Sequence, residues 1–155
     1  MRLLLVALFI CGCDVESASY HIKRFYGLSV SPSRSIIEQE INRVARKHRL
    51  SESLLRSLVQ VESSFRPMAL SKKGAIGLTQ VMPYNAKRCG LHADELWDVS
   101  LNLACGAQIL TEEIKRLGSI EKALTVYNCG KVHCKQGQKY AKKVLSLAKN
   151  TEEKT

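Results

Sequence analysis

Acidic residues are scarce in this chain. Its 155 residues hold 14 Asp+Glu against 24 Lys+Arg, a formal charge of +10. Such an excess implies an anionic partner: a nucleic acid, a membrane face or an acidic polymer. The basic residues are scattered (Arg43, Lys47, Lys72, Lys73, Lys87, Lys115, Lys131, Lys142, Lys143) and form no long tract, so charge alone does not choose among them. Long apolar stretches are also missing. The unbroken run Leu3–Ile10 has eight residues, well short of the ~20 that cross a bilayer. There is no internal repeat, no low-complexity tract and no convincing strand pattern. The length suits one compact domain with a short extension. A core of that size buries about two-thirds of the unfolded chain's surface, so folding requires no metal, and no cofactor is expected.

The short apolar run has the size of a signal-peptide core and follows the positive start Met1-Arg2. It ends in Ile10-Cys11-Gly12-Cys13, which resembles the bacterial lipobox, whose Cys becomes the lipidated first residue of the mature chain. Cys13 fits, with Gly12 before the cut. Cys11 does not, because bulky Ile10 would precede it. Ordinary cleavage and a retained anchor are the alternatives. All three put the domain outside the cytoplasm, which argues against a nucleic-acid partner. Cell wall and anionic lipid headgroups are then the expected counterparts. The expected organisation is a leader over 1–12, a tether over 13–33, a catalytic domain over 34–150 and a tail over 151–155.

Four cysteines remain in the domain: Cys89, Cys105, Cys129 and Cys134. An even count in an oxidising compartment suggests two disulfides. Metal binding is the rival, but paired Cys-x-x-Cys spacing is lacking. Of three pairings, the favoured one closes a tight loop at Cys129–Cys134 and leaves Cys89 with Cys105.

What is present is helical. Ser35-Ile36-Ile37-Glu38 reads as a capping box, opening a helix with the stripe Ile37, Ile41, Val44, Ala45. Further helices are expected over Ser51–Glu62, near Pro83–Arg88 with Gly90 as a stop, over Leu101–Leu117, Ile120–Tyr127 and Lys139–Ala148. The long helix carries the stripe Leu103, Ala107, Leu110, Ile114, Leu117 and ends at Gly118. The fold class is mostly α.

Glu62 is the most informative position. Leu55, Leu58, Val59 and Glu62 sit at i, i+3, i+4 and i+7 and share one face. The carboxyl therefore points inward, where desolvation raises its pKa. A carboxyl protonated near neutral pH is what a general acid needs. The competing reading is a Glu turned to solvent at a fraying helix end. Tyr127 ends a similar face after Ile120, Ala123 and Leu124. Its phenol can hydrogen-bond an inward carboxylate, although a core aromatic is the more common fate of such a residue. Between the two lies 67–83, with Gly74 and Gly77 for close backbone approach. Ser71, Thr79 and Gln80 offer polar groups suited to sugar hydroxyls and amides.

The run Glu62-Ser63-Ser64-Phe65-Arg66-Pro67, then Ser71, Gly74-Ala75, Gly77-Leu78, Gln80, Met82-Pro83, and later Tyr127-Asn128-Cys129-Gly130, resembles the soluble lytic transglycosylase family. Asp98–Leu110, with Asn102 and Gly106-Ala107, is similar to the family's middle helix. Asn85 stands where Thr is common, and Cys129 where Ala is usual. The resemblance implies a compact goose-type lysozyme-like fold and a catalytic Glu62. It implies that Tyr127 positions Glu62 and that Ser71, Gln80, Met82 and Asn128 contact sugars. The implied activity is cleavage of peptidoglycan between N-acetylmuramic acid and N-acetylglucosamine, leaving a 1,6-anhydro end. Cys129 suggests a disulfide gripping the loop beside Tyr127.

One feature of the chain supports this independently. Glycosidases ordinarily pair two carboxylates across the scissile bond, yet no acid occurs from Ser63 to Ala93. Asp94, Glu95 or Asp98 folding back would instead suit a hydrolytic muramidase, and a non-catalytic wall-binding assembly protein is the third reading. The expected location is the periplasmic side of the cell envelope, on a membrane anchor. Beyond peptidoglycan and the membrane, a secretion, conjugation or pilus machine is a candidate partner.

Overall fold

The computed structural model describes residues 32–153. The chain divides into two units, Met1–Ile37 and Glu38–Thr155. Of the first, only the start of one helix is described. The expected leader and Cys13 lie outside the described residues.

Helix α1 spans Arg34–His48. It starts earlier than the Ser35 box suggests. Ser33 Oγ accepts the Ile36 amide at 3.3 Å, so the serine two residues upstream caps first and Ser35 falls inside the helix. Helix α2 spans Glu52–Ser63, with Ser51 Oγ accepting the Leu54 amide at 3.2 Å. Leu55, Leu58 and Val59 on its inner face have no exposure. The chain then breaks sharply, with Ser64 and Phe65 both at positive φ. The segment that follows is held by isolated antiparallel bridges, Leu70 with Ile76 and Ile76 with Val81.

The expected helix near Pro83 is a 3-10 helix, Pro83–Cys89, stopped by left-handed Gly90. Seven residues give too few hydrogen bonds to offset α-helix nucleation. A second 3-10 turn, Asp94–Trp97, was not anticipated. Helix α3, Val99–Leu117, begins before Leu101 because Asp98 caps it, its Oδ1 accepting the Leu101 amide at 2.8 Å. Helix α4 is Ile120–Cys129, and α5 is Lys135–Glu152, longer at both ends than expected. The main pairings are α4 with α5, α2 with α5 and α3 with α4. Leu103, Ala107 and Leu110 of α3, Leu124 of α4 and Val144 of α5 are fully buried. The domain is thus mostly helical, as expected.

Two covalent ties fasten the later elements. Cys89 pairs with Cys105, joining the first 3-10 helix to α3, and Cys129 pairs with Cys134, joining the end of α4 to the start of α5. Ser53 Oγ donates to Glu152 Oε1 at 2.5 Å, linking the start of α2 to the end of α5.

The 67–83 segment is fixed by one buried side chain. Asn102, 1% exposed, donates through Nδ2 to the carbonyls of Ile76 and Leu96, each at 2.9 Å. Its Oδ1 accepts from the Thr79 amide at 2.9 Å and the Thr79 hydroxyl at 2.7 Å. Two glycines make room. A Cβ at Gly77 would collide with the Asn102 amide, and one at Gly106 with the Thr79 side chain. Replacing Asn102 by Ala leaves the Thr79 amide and the Leu96 carbonyl without this partner, at about 1–3 kcal/mol each. Asn102→Ala should therefore lose at least ~2 kcal/mol in urea unfolding. A loss under about 1 kcal/mol would show that water or relaxation replaces the amide.

Candidate active site

Helix α2 carries Glu62 one residue before its last, on the buried face. The helix ends there because Ser64 and Phe65 adopt left-handed backbone, at φ 51° and 61°. For a bulky residue such as Phe65 that conformation costs on the order of 1–3 kcal/mol, and its 6% exposure shows the packing that holds it. Burial pushes the Glu62 carboxyl up from an ordinary 4.5 to about 7, against the opposing pull of a hydrogen bond from Tyr140. Glu62 is thus an inward carboxyl, half protonated near neutrality.

Tyr140 was not singled out in the sequence. Its hydroxyl donates to Glu62 Oε1 at 2.5 Å. Gly137, Ala141, Val144 and Ala148 form the buried face of α5, and Tyr140 lies one residue beside that stripe. The signal was therefore the same one that exposed Tyr127, a phenol on an apolar helix face.

Tyr127 bonds a different acceptor from the inward carboxylate. Its hydroxyl donates to the Thr79 carbonyl at 2.8 Å, so the direct bond to Glu62 comes from Tyr140 instead. Thr79 presents that carbonyl because Asn102 holds its amide and hydroxyl. Tyr127 still stands close to Glu62. Burial and then the Glu62 charge push its phenol upward, and burial with the Glu62 charge does the same to Tyr140.

Tyr127 also lines a groove of about 610 Å³, together with Gln80, Met82 and Asn128. That size falls in the range of ligand sites. Three of the four sugar-contact candidates therefore share one surface with Tyr127. Ser71 does not belong to it. Its hydroxyl accepts the Ala75 amide at 2.9 Å and closes the loop over residues 71–75. Gln80 holds a left-handed φ of 50°. Its Nε2 donates to the carbonyls of Ala69 and Gly77 at 3.2 and 3.0 Å, which leaves Oε1 as the end that can accept from a ligand.

Of the acids that could partner Glu62, Asp94 is exposed and the others are engaged elsewhere. Asp98 caps α3, Glu95 Oε2 accepts the His92 amide at 2.7 Å, and Glu113, which lines the groove, is paired with Arg88 and Arg116. Among the described residues no cluster of three or more His, Cys, Asp or Glu is placed to hold a metal, and no helix is long and apolar enough to cross a membrane.

Comparison with known proteins places this fold in a family. The chain belongs to the transglycosylase SLT domain family, whose model matches residues 39–149. It is 34% identical over 101 residues to the transglycosylase of Enterobacteria phage PRD1, a match covering 65% of this chain and 37% of the phage protein. It is 46% identical over 48 residues to membrane-bound lytic murein transglycosylase C of Haemophilus influenzae, covering 31% and 13% of the two chains. This chain therefore spans well under half the length of those relatives. In fold it is similar to an inactive mutant of the lytic transglycosylase Slt from Pseudomonas aeruginosa, with a TM-score of 0.68 at 24% identity over 75% of this chain and 24% of that one. The 70 kDa soluble lytic transglycosylase of Escherichia coli gives 0.65 at 19% identity, over 71% and 23% of the respective chains.

Two outcomes test this electrostatic picture. A general acid works while protonated, so activity should fall as pH rises through about 7. The Tyr140 bond favours the carboxylate, so Tyr140→Phe should move that fall to higher pH, whereas Tyr127→Phe should leave it in place. A pH–rate profile on fluorescent glycan strands reads both. Stability carries the same sign. Below 4.5 Glu62 is protonated in both states; between 4.5 and about 7 only the unfolded chain gives up the proton, so stability declines as pH rises across that window. The decline is at most on the order of 3 kcal/mol, and Glu62→Gln should abolish it in urea titrations at pH 5 and 8.

Proposed function

We propose that this chain is a peptidoglycan lytic transglycosylase with Glu62 as its single acid and base. The observation that carries the reading is the inward, partly protonated Glu62 close to Tyr127, which lines a groove whose acid, Glu113, is already paired with two arginines. Protonated Glu62 donates to the glycosidic oxygen between N-acetylmuramic acid and N-acetylglucosamine, and the C1–O bond breaks. The muramic acid's own N-acetyl oxygen supports the electron-poor C1. Glu62, now a carboxylate, takes the proton of the same sugar's C6 hydroxyl as that oxygen bonds to C1. The acid is regenerated, the product is a 1,6-anhydro sugar, and no water is consumed.

The two tyrosines divide the supporting work. Tyr140 orients the Glu62 carboxyl and stabilises its charged form for the second step. Tyr127 braces the Thr79 carbonyl and so sets Gln80 and Met82 along the groove. Gln80, Met82 and Asn128 contact the sugars, while Ser71 acts through the shape of its loop. Around the domain, Cys13 would be the lipid anchor at the periplasmic face of a membrane. A wall-opening role beside a secretion or conjugation machine suits a small basic domain of this kind. The word "membrane-bound" in the name of the Haemophilus relative agrees with such an anchor.

Two measurements test this function. Digests of purified peptidoglycan should end in anhydro-muramic acid, each end lighter by one water than a reducing end, and Glu62→Gln should lower the rate by at least ~10²-fold. Asp94→Asn and Asp98→Asn should retain the anhydro product. Reducing muramic ends, lost on either Asp replacement, would make the enzyme a hydrolytic muramidase. Separately, cells fed labelled palmitate should label the wild-type chain and not Cys13→Ala; equal labelling of both would remove Cys13 as the anchor.

A further inference from the structure

Five arginines of this domain are matched by acids: Arg43, Arg46, Arg56, Arg88 and Arg116 are each ion-paired with a glutamate. Helix α5 is different. From Lys135 to Thr151 it holds five lysines and no Asp or Glu. Among the described residues no acid is ion-paired with any of them.

Four of these lysines form a row. Lys135, Lys139, Lys142 and Lys149 stand at i, i+4, i+7 and i+14, so they share one face. All four are exposed, and exposed Ser146 fills the i+11 position. The face lies opposite Gly137, Ala141, Val144 and Ala148, which are buried. At about 1.5 Å per residue the row runs roughly 21 Å, and it contains no apolar or aromatic side chain.

The row is separate from the groove. Lys73, Arg88 and Arg116 line the groove, and no lysine of α5 does. Helix α5 meets the groove through Gln136, which is turned about 100° round the helix from Lys135. A ligand in the groove therefore leaves the row open.

Helix stability does not explain the row. Like charges at i, i+4 destabilise a helix, and Lys135 and Lys139 sit toward the N-terminal end, where the helix dipole disfavours cations. A surface tuned only for solubility would mix both signs. Four flexible ammonium groups on a straight line, with no pocket and no fixed fork of donors, respond to charge density rather than to the shape of one ion. A bilayer of anionic phospholipid offers that density over the whole length of the row, and each lysine near such a surface strengthens attachment.

This inference deepens the reading of Cys13 as a membrane anchor and does not depend on cleavage. With that anchor, the roughly 20 residues from Cys13 to Ser33 span at most about 70 Å when extended, so the domain stays within reach of the bilayer. A polybasic patch is a recognised second signal beside a lipid chain. We infer that the lysine face of α5 docks the domain on an anionic phospholipid bilayer and leaves the groove free for glycan.

Vesicle binding tests the face without the anchor. The full chain carrying Cys13→Ala is sedimented with mixed phosphatidylglycerol–phosphatidylcholine vesicles and with vesicles of phosphatidylcholine alone. Mixed vesicles should bind more protein at low salt, and the excess should fade as salt screens it. Each of Lys139→Gln, Lys142→Gln and Lys149→Gln should lower the excess about five-fold, while arginine at the same positions should keep it. Lys47→Gln and Lys87→Gln, at exposed lysines outside the row, should hardly change it. Thermal melting checks the fold. Equal binding to both kinds of vesicle would overturn the face, as would an excess that survives replacement of all four lysines. Equal losses in the row and control variants would reduce the effect to net charge and also overturn it. Row variants that lose binding to purified sacculi but not to mixed vesicles would assign the row to the wall instead. If the vesicle results hold while palmitate labels Cys13→Ala as strongly as wild type, the face stands and the anchor at Cys13 falls.

Discussion

The site depends on the buried amide of Asn102. One side chain on α3 satisfies the Ile76 and Leu96 carbonyls together with the Thr79 amide and hydroxyl. Those groups belong to segments with little regular structure of their own, where only the Ile76 carbonyl has a bridge partner besides, the Val81 amide at 3.1 Å. The amide converts a loop into a fixed wall. Tyr127 then reads the position of that wall through the Thr79 carbonyl, and Gln80, next in the chain, is held at a positive φ that an unsupported loop would relax. Gly77 and Gly106 are where they are because the lock leaves no space for a methyl group.

Glu62 depends on a balance of opposing terms. Burial alone would make it a strong proton holder and a poor base. The Tyr140 hydroxyl offsets part of that by stabilising the charged form, and the outcome lies near 7. In the proposed mechanism, where Glu62 is acid in one step and base in the next, it gains from standing near the middle of its range. The two phenols resist ionisation, since burial and the nearby Glu62 charge both push them up. They therefore remain donors whatever the state of the carboxyl, and the geometry survives the change of charge during the reaction.

Local signals in the sequence reported what local physics decides. The 3.6-residue stripe placed Leu55, Leu58 and Val59 inside and Glu62 with them, because a helix face is set by spacing alone. The short Cys129–Cys134 loop was legible for the same reason. What stayed hidden depends on elements meeting in space. Tyr127 was visible as an inward phenol, but its acceptor lies 48 residues earlier in the chain. Tyr140 reaches Glu62 across 78 residues, through the pairing of α2 with α5 that no periodicity encodes. Ser71 looked like a sugar ligand by residue type, yet the sharp turn after Leu70 uses its hydroxyl at home. Capping serines and Asp98 shifted helix starts by a residue or two, since a cap is chosen by whichever side chain first reaches an open amide.

The excess of basic charge poses a conflict that the structure resolves by distance. Cations attract an anionic polymer, but a cation beside Glu62 would favour its carboxylate and discharge the acid before it could act. No lysine or arginine contributes to the shift of Glu62; burial and Tyr140 account for it. Arg116 is instead set about two helical turns along α3 from Ile109, and the two arginines of the groove are gathered around Glu113. Glu113 thus has two effects. It holds together two guanidiniums that would otherwise repel, and it neutralises part of their field in the direction of the site. On the proposed function, a polymer can be drawn to a positive surface while Glu62 keeps much of its proton near neutrality.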